Sequence, residues 1–472
     1  MSSSDETHNL EEGQNFEEID DEEAGKYDRN ESYAEETLPR ESLSKEIISE
    51  CISMPYRLGY GFSHAFVKLD CSDRRLSDIE ILRGYIHLRF VILTNNFITD
   101  ISPVSHIGHL IYLKADNNQI ERADCLNKLR FLQYLDLSGN KLTTINDLKL
   151  PFLQHLKVNE NAIGTLNSTG YGIPPEQFPA LATLELRSNR LTSFEGIGAL
   201  TTLTSLYCAE NSLKDTSGLS KLTGLVRLHA RDNRISSLNG ITVAMSKNAI
   251  GTLNSTGYGI PPEQFPALAT LELRSNRLTS FEGIGALTTL TSLYCAENSL
   301  KDTSGLSKLT GLVRLHARDN RISSLNGITV AMSSLEYLNL RGNRLSSFRA
   351  VKLLSALPSL KVLNLLQNPI CDKDEYRLTV IGLISRLQKL DKERVTDSER
   401  ADGASVVANK SDWDEDASEA EAMEEHHNAE GLAEEVGEEG GEVPNEQQPA
   451  EDQEDENAEE EGEGEEEEDE ED

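Results

Sequence analysis

The stretch from Leu181 to Leu191 reads LATLELRSNRL, Leu203–Leu213 reads LTSLYCAENSL, and Leu225–Ile235 reads LVRLHARDNRI. Set on their asparagines, the three share one template, L-x-x-L-x-L-x-x-N-x-L. Its centre alternates with period two, which describes a short strand with one buried face. The leucines outside the strand point into the same core from the turns, and each burial contributes roughly 1.5–3 kcal/mol. The asparagine stands where the chain leaves the strand. Its amide can satisfy backbone groups that the bend would orphan, and an orphaned buried group costs about 1–3 kcal/mol.

The template recurs from Leu88 onward. Its asparagines are Asn96, Asn118, Asn140, Asn161, Asn189, Asn211 and Asn233, then Asn276, Asn298, Asn320, Asn343 and Asn368. Steps between the first seven are 22, 22, 21, 28, 22 and 22 residues. This is the period and pattern of leucine-rich repeats. It predicts an α/β solenoid, a horseshoe whose short parallel strands line the concave face, one coil per repeat. The 28-residue step holds an insertion, Gly164–Phe178, expected as a loop on the outer side. Phe66–Ile79 (FVKLDCSDRRLSDI) predicts one weaker coil ahead of the ladder. A helix over Ser42–Leu58, capped by Ser42 or Ser44, would cover the open end of the stack. A helix over about Asp374–Arg386 and the Leu387–Leu390 pair would close the other end. The expected organisation is an acidic disordered tail over 1–41, N-terminal cap and first coil over 42–87, and solenoid over 88–370. A C-terminal cap over 371–397 and a second acidic disordered tail over 398–472 follow.

Residues 161–246 return letter for letter as 248–333, with Lys247 between the copies. The duplication is out of register with the coils. From Asn233 to Asn248 there are only 15 residues, and Gly240, Val243 and Met245 stand in the strand slots. A register break is expected near 236–250, as a pinched coil or a bulge. With one copy, Asn233 would meet the asparagine of LEYLNLRGN after 23 residues, a normal step.

The net charge of −36 over 472 residues is unevenly spread. From Ser411 onward there are 32 acidic residues and no Lys or Arg, and the first 40 residues hold 14 acidic and 3 basic. The body between is mildly basic, at +7. Segments so charged repel themselves and are expected to be disordered. The start lacks an apolar run with a basic flank, and no window approaches a membrane span, so neither signal peptide nor membrane association is expected. Six scattered cysteines suit a reduced, intracellular protein. The chain has no Walker loop, HExxH, GxSxG or GxGxxG. No catalysis, cofactor, metal or small-molecule substrate is therefore expected. His426–His427 and Trp413 read as solvated tail residues. The weak positive charge of the body, between acidic tails, speaks against nucleic acid.

What information remains lies at the third, fifth and seventh template positions, which face out of the strand. They include Tyr112, Lys114, Tyr134, His155 and Lys157 in the early coils, and Arg187, Tyr207, Arg227, His229 and Arg231 in the middle. Tyr337 and Arg341 follow near the end. Tyrosine and arginine are enriched at protein interfaces. The concave face is the candidate surface for binding other proteins; the plainer reading is an ordinary solvated strand face.

Several stretches are more particular than the template. GFSHAFVKLDCSDRRLSDIEILRGYIHLRFVILTNNFITDISPV, LIYLKADNNQI, LEYLNLRGNRL and the closing LQNPICDKDEYR…LQKLDKE resemble the leucine-rich-repeat-containing protein 23 family. The resemblance runs from about Gly59 to Glu393 and is closest at Leu76–His87. It implies a structural component of the radial spokes in the axoneme of motile cilia and flagella, a scaffold in the cytoskeleton that docks other spoke subunits. The long Glu-rich C-terminus and the internal copy depart from the family pattern. The 22-residue spacing and the NP…YR…LD ending also resemble the repeat-built regulatory subunit of protein phosphatase 1 and dynein-assembly factors. They imply a cytosolic regulator or adaptor as the alternative.

Overall fold

A computed structural model describes residues 39–57, 64–167, 173–174, 176–238 and 267–409. Each template repeat forms a three-residue strand, such as Tyr112–Lys114, Thr183–Glu185 or Arg314–His316, and the strands stack into one sixteen-stranded sheet. Pairing is parallel from His64–Asp70 through Lys389–Leu390, always between equivalent template positions, as in Leu113 beside Leu135. Each end of the sheet closes with an antiparallel pair. Ile52–Arg57 lies on His64–Asp70 at one end, and Glu393–Arg394 folds back on Lys389–Leu390 at the other. Between strands the chain returns through short 3-10 turns, for example Ser102–His106 and Leu219–Lys221. A single core of leucines runs the length of the stack.

The asparagine ladder is what holds one coil to the next. Asn118 Nδ2 donates to the carbonyls of Ala115 and Asp116 in its own turn and of Leu93 in the preceding coil, while its Oδ1 accepts from the Ile98 amide at 3.0 Å. All twelve template asparagines make this four-way contact, from Asn96 to Asn368. The residue before each sits at positive φ in the turn, including Asn117, Glu160 and Asp232.

At the duplication the sheet passes directly from Arg227–His229 to Thr270–Glu272, with Leu228 beside Leu271. Asn276 takes up the ladder: its Oδ1 accepts from the Ile235 amide across 41 residues, against 20 for Asn233 and Leu213. Most of the expected register break, 239–250 with Lys247 and Asn248, lies outside the described residues. So do residues 1–38 and 410–472, with Trp413 and His426–His427.

Three expectations are corrected. The N-terminal helix is shorter than Ser42–Leu58. Ser44 caps a helix α1 over Lys45–Cys51, and the chain then becomes the edge strand Ile52–Arg57. The apolar spacing at Ile48 and Cys51 is real and buried, but Pro55 cannot sit in a helix interior, and Ile52–Arg57 pairs with the first coil instead. The insertion Gly164–Phe178 is more than an outer loop. Ile173 and Phe178 are fully buried, and Gln177 Nε2 donates to the Asn146 carbonyl at 2.7 Å.

The polar region expected from 398 begins with structure. After α2 (Phe348–Leu353) and α3 (Tyr376–Leu383), a fourth helix, α4, spans Asp397–Asn409 and packs on α3. Gly382 and Gly403 meet backbone to backbone. A Cβ on Gly382 would lie 2.2 Å from the Gly403 carbonyl oxygen. Arg377 Nε pairs with Glu399 at 2.7 Å, and that bond leads in holding the Glu399 carboxyl down to about 2. Arg400 donates to the carbonyls of Ser385 and Leu387. Sequence periodicity misses this helix because glycines and arginines dock it, not an apolar stripe. The last coil is completed by Asp391, whose carboxylate accepts from the Leu365 amide at 2.7 Å. In inner coils a backbone carbonyl of the next strand fills that place, as for Leu93 and Lys114.

Candidate protein-binding face

Because coils stack in register, equal template positions form columns along the concave face, and strands lie about 4.8 Å apart. That spacing suits aromatic stacking, and the columns use it. In the third-position column Tyr112 and Tyr134 stack with ring centroids 4.3 Å apart and planes 7° from parallel. Phe90 flanks the pair at 6.3 Å and His155 at 6.2 Å, both tilted. Such ring pairs contribute about 0.5–1.5 kcal/mol beyond area burial. Four consecutive coils thus present one continuous aromatic strip. Burial pushes the Tyr134 phenol well above its ordinary range, helped by Asp136. Burial, then Lys157, hold the His155 imidazole below its ordinary value.

Beside it the fifth position carries charge. Lys157 Nζ lies 3.0 Å from Glu185; burial opposes its charge, but the Glu185 bond holds its pKa above the lysine norm. Lys114 lies 3.7 Å from Asp116.

Further along, the aromatic column shifts to the fifth position. Tyr207 stacks on His229 at 4.7 Å, as does the copied pair Tyr294–His316 at 4.6 Å, and from His316 the stack crosses diagonally to Tyr337, at the third position of the next coil, at 4.6 Å. Burial lowers the His229 pKa, with Arg227 adding to it. Arg187 is bound to Glu210, Arg231 to Asp232, and Arg341 Nε to the Gln367 amide oxygen at 2.9 Å. Arg227 is exposed.

The structure brings Tyr112, Tyr134 and His155 together. It does not bring them to Arg227 and Arg231. Two strands, Thr183–Glu185 and Ser205–Tyr207, stand between His155 and Arg227, a separation of about 14 Å at sheet spacing. The face therefore offers two aromatic centres.

Two features escaped the sequence reading. Tyr294 and His316, passed over as copies, form the longest stack of the second half. On the rim where the chain enters the strands, Phe131 stacks with His109 at 5.7 Å and with Phe152 at 6.3 Å. Phe131 and Phe152 are 49 % and 54 % exposed, so this is apolar surface open to a partner. The signal was present: each residue immediately precedes the first leucine of its repeat. Among the described residues, no group of three or more His, Cys, Asp or Glu is placed to hold a metal ion. No described helix is long and apolar enough to cross a membrane.

Two leucine-rich repeat family models match the chain, over residues 263–417 and 131–156. The human leucine-rich repeat-containing protein 23 is 31 % identical over 368 residues, covering 78 % of this chain and 80 % of that protein. Human cilia- and flagella-associated protein 410 is 45 % identical over 67 residues, 14 % of this chain and 26 % of its own. Among solved structures, an internalin from Listeria monocytogenes superposes with a TM-score of 0.56 at 23 % identity, covering 71 % of this chain and 91 % of that one. That likeness shows the shared solenoid fold. The chain is built as a leucine-rich repeat protein-interaction scaffold.

Proposed function

This chain belongs to the leucine-rich repeat-containing protein 23 family, and from that premise we propose that it is a non-enzymatic scaffold of the ciliary or flagellar axoneme, a radial spoke component whose concave face docks other spoke subunits. The observation that carries this reading is the Phe90–Tyr112–Tyr134–His155 strip. Large rings held rigidly by the sheet lose little entropy on binding, and tyrosines are frequent energetic centres of interfaces. The name of the cilia- and flagella-associated relative supports the location. Mechanically, coils that contact only their neighbours make a stiff curved spacer with a long binding face.

The test replaces Tyr112 and Tyr134 together by alanine in ciliated cells lacking the native protein. Retention in detergent-extracted axonemes should fall severalfold while the purified variant still melts cooperatively. Normal retention would contradict the assignment of the strip. A wild-type protein that stays soluble and co-purifies with a phosphatase catalytic subunit would favour a cytosolic regulator instead.

A further inference from the structure

A second surface lies just past the strand ends, where the chain turns away from the concave face. The residue after each ladder asparagine points outward there. In the early coils it is Phe97, Gln119, Lys141 or Ala162. From Asn189 to Asn343 it becomes Arg190, Arg234, Arg277, Arg321 and Arg344, all exposed, before Pro369 follows Asn368. Only two coils interrupt the series, with Ser212 and Ser299, and both place an exposed lysine two residues further on, Lys214 and Lys301. The positions are rigid, because each arginine's amide is bonded to the preceding coil, as Arg234 to Leu213 at 2.9 Å and Arg277 to Ile235 at 2.9 Å. Seven consecutive coils thus carry one cation each, in a row about 29 Å long at sheet spacing. None of these seven side chains makes an ion pair or a side-chain hydrogen bond among the described residues. The adjacent row behaves differently: Arg187, Arg231 and Arg318 are paired with Glu210, Asp232 and Glu297.

We propose that this row of unpaired cations is a docking strip for a glutamate- and aspartate-rich segment of a partner protein. Charge complementarity is the argument. The row is unneutralised, linear and regular, and a helix lying along it repeats a carboxylate about every 5.4 Å per turn, close to the coil spacing. A nucleic acid fits less well, because no stacked aromatic rings interleave the row, as single-strand sites require. The duplication lengthens the strip: without residues 247–333 only Arg190, Lys214, Arg234 and Arg344 would remain. The strip is separate from the aromatic face, so either assignment can fail alone.

The experiment measures binding of a fluorescent Glu-rich helical peptide to the full chain, with a Gln-for-Glu peptide and oligouridylate RNA as comparators. The Glu peptide should bind, weaken as salt rises, and weaken about tenfold with R234Q/R277Q/R321Q, the sum of three exposed ion pairs. The lysine counterpart of that triple variant should retain most of the affinity. A chain lacking residues 247–333 should bind more weakly than the full chain. Equal binding by the glutamine triple variant would overturn the proposal, as would tighter binding of RNA than of peptide. Binding only after removal of residues 411–472 would overturn the assignment to an external partner.

Discussion

In the first copy, Asn161–Ser246, the residues after Asn233 run into Lys247 and another Asn-Ala-Ile-Gly. In the second, Asn248–Ser333, the same residues after Asn320 run into Ser334-Leu335-Glu336-Tyr337. Over residues 180–238 and 267–325 the copies repeat each other. They share the same three strands, the same left-handed glycines at Gly218 and Gly305, and the same isolated bridges, Asp215–Ser237 and Asp302–Ser324. Beyond that point the second copy completes a coil. The Gly327 amide donates to Thr303 Oγ1 at 3.1 Å, Ile328 and Met332 are buried, and Leu335 starts the next rung. A Cβ at Gly327 would lie 1.6 Å from the Thr303 carbonyl oxygen, so only glycine fits this approach. The matching residues 240–246 lie outside the described part of the first copy. Strand, turn and asparagine bonds are local and survive copying. Closing a coil requires a following leucine rung, which the second copy meets ten residues after Leu325, at Leu335, and the first copy thirty residues after Leu238, at Leu268.

The largest expected effect is at the joint. Asn276 donates to Ala230, Leu273 and Arg274 carbonyls and accepts from Ile235, so Asn276→Ala breaks bonds that span the copies. It should cost about 3 kcal/mol in a urea melt, as stranded buried groups do, and Asn189→Ala at the same position of the first copy should match it. A silent Asn276→Ala beside a costly Asn189→Ala would break the equivalence.

Next comes a repair. Deleting residues 247–266 leaves a step of 23 residues from Asn233 to Asn276, identical through Ser246 to the step from Asn320 to Asn343. Ile241 and Met245 should then bury as Ile328 and Met332 do, and the shorter connection costs less closure entropy. A gain of roughly 1–2 kcal/mol in unfolding free energy is expected. A loss would mean that the deleted residues carry structure the sheet needs.

The smallest effect separates identical residues with different partners. Arg318 lies 2.9 Å from Glu297 and 3.4 Å from Asp319, whereas the equivalent Arg231 makes one ion pair among the described residues, with Asp232 at 2.8 Å. Both alanine variants should stay within about 1 kcal/mol of wild type, with Arg318→Ala the larger, and the difference should vanish in high salt.

The solenoid is readable in the sequence because its determinants are periodic and local: one asparagine and four apolar positions specify each coil. The outward columns were readable as positions but not as partners, because stacking depends on which residue the next coil brings alongside. Hence Tyr112 and Tyr134 form one unit, while Arg231 is taken up by its own neighbour Asp232. The rim stack of His109, Phe131 and Phe152 falls outside the template's strand and was missed for that reason. Helix α4 was missed because a glycine contact and charged bonds leave no hydrophobic period to see.

The claim on which the ladder's continuity rests is that His229 lies directly beside Glu272. Adjacent strands place such Cα atoms about 4.8 Å apart, within disulfide range. The direct measurement is cross-linking of His229→Cys/Glu272→Cys under mild oxidation, with Tyr207→Cys/His229→Cys as the control pair from adjoining strands of the first copy. The account expects both pairs to close to similar extents. Closure of the control pair without the joint pair would show that another rung stands between the copies.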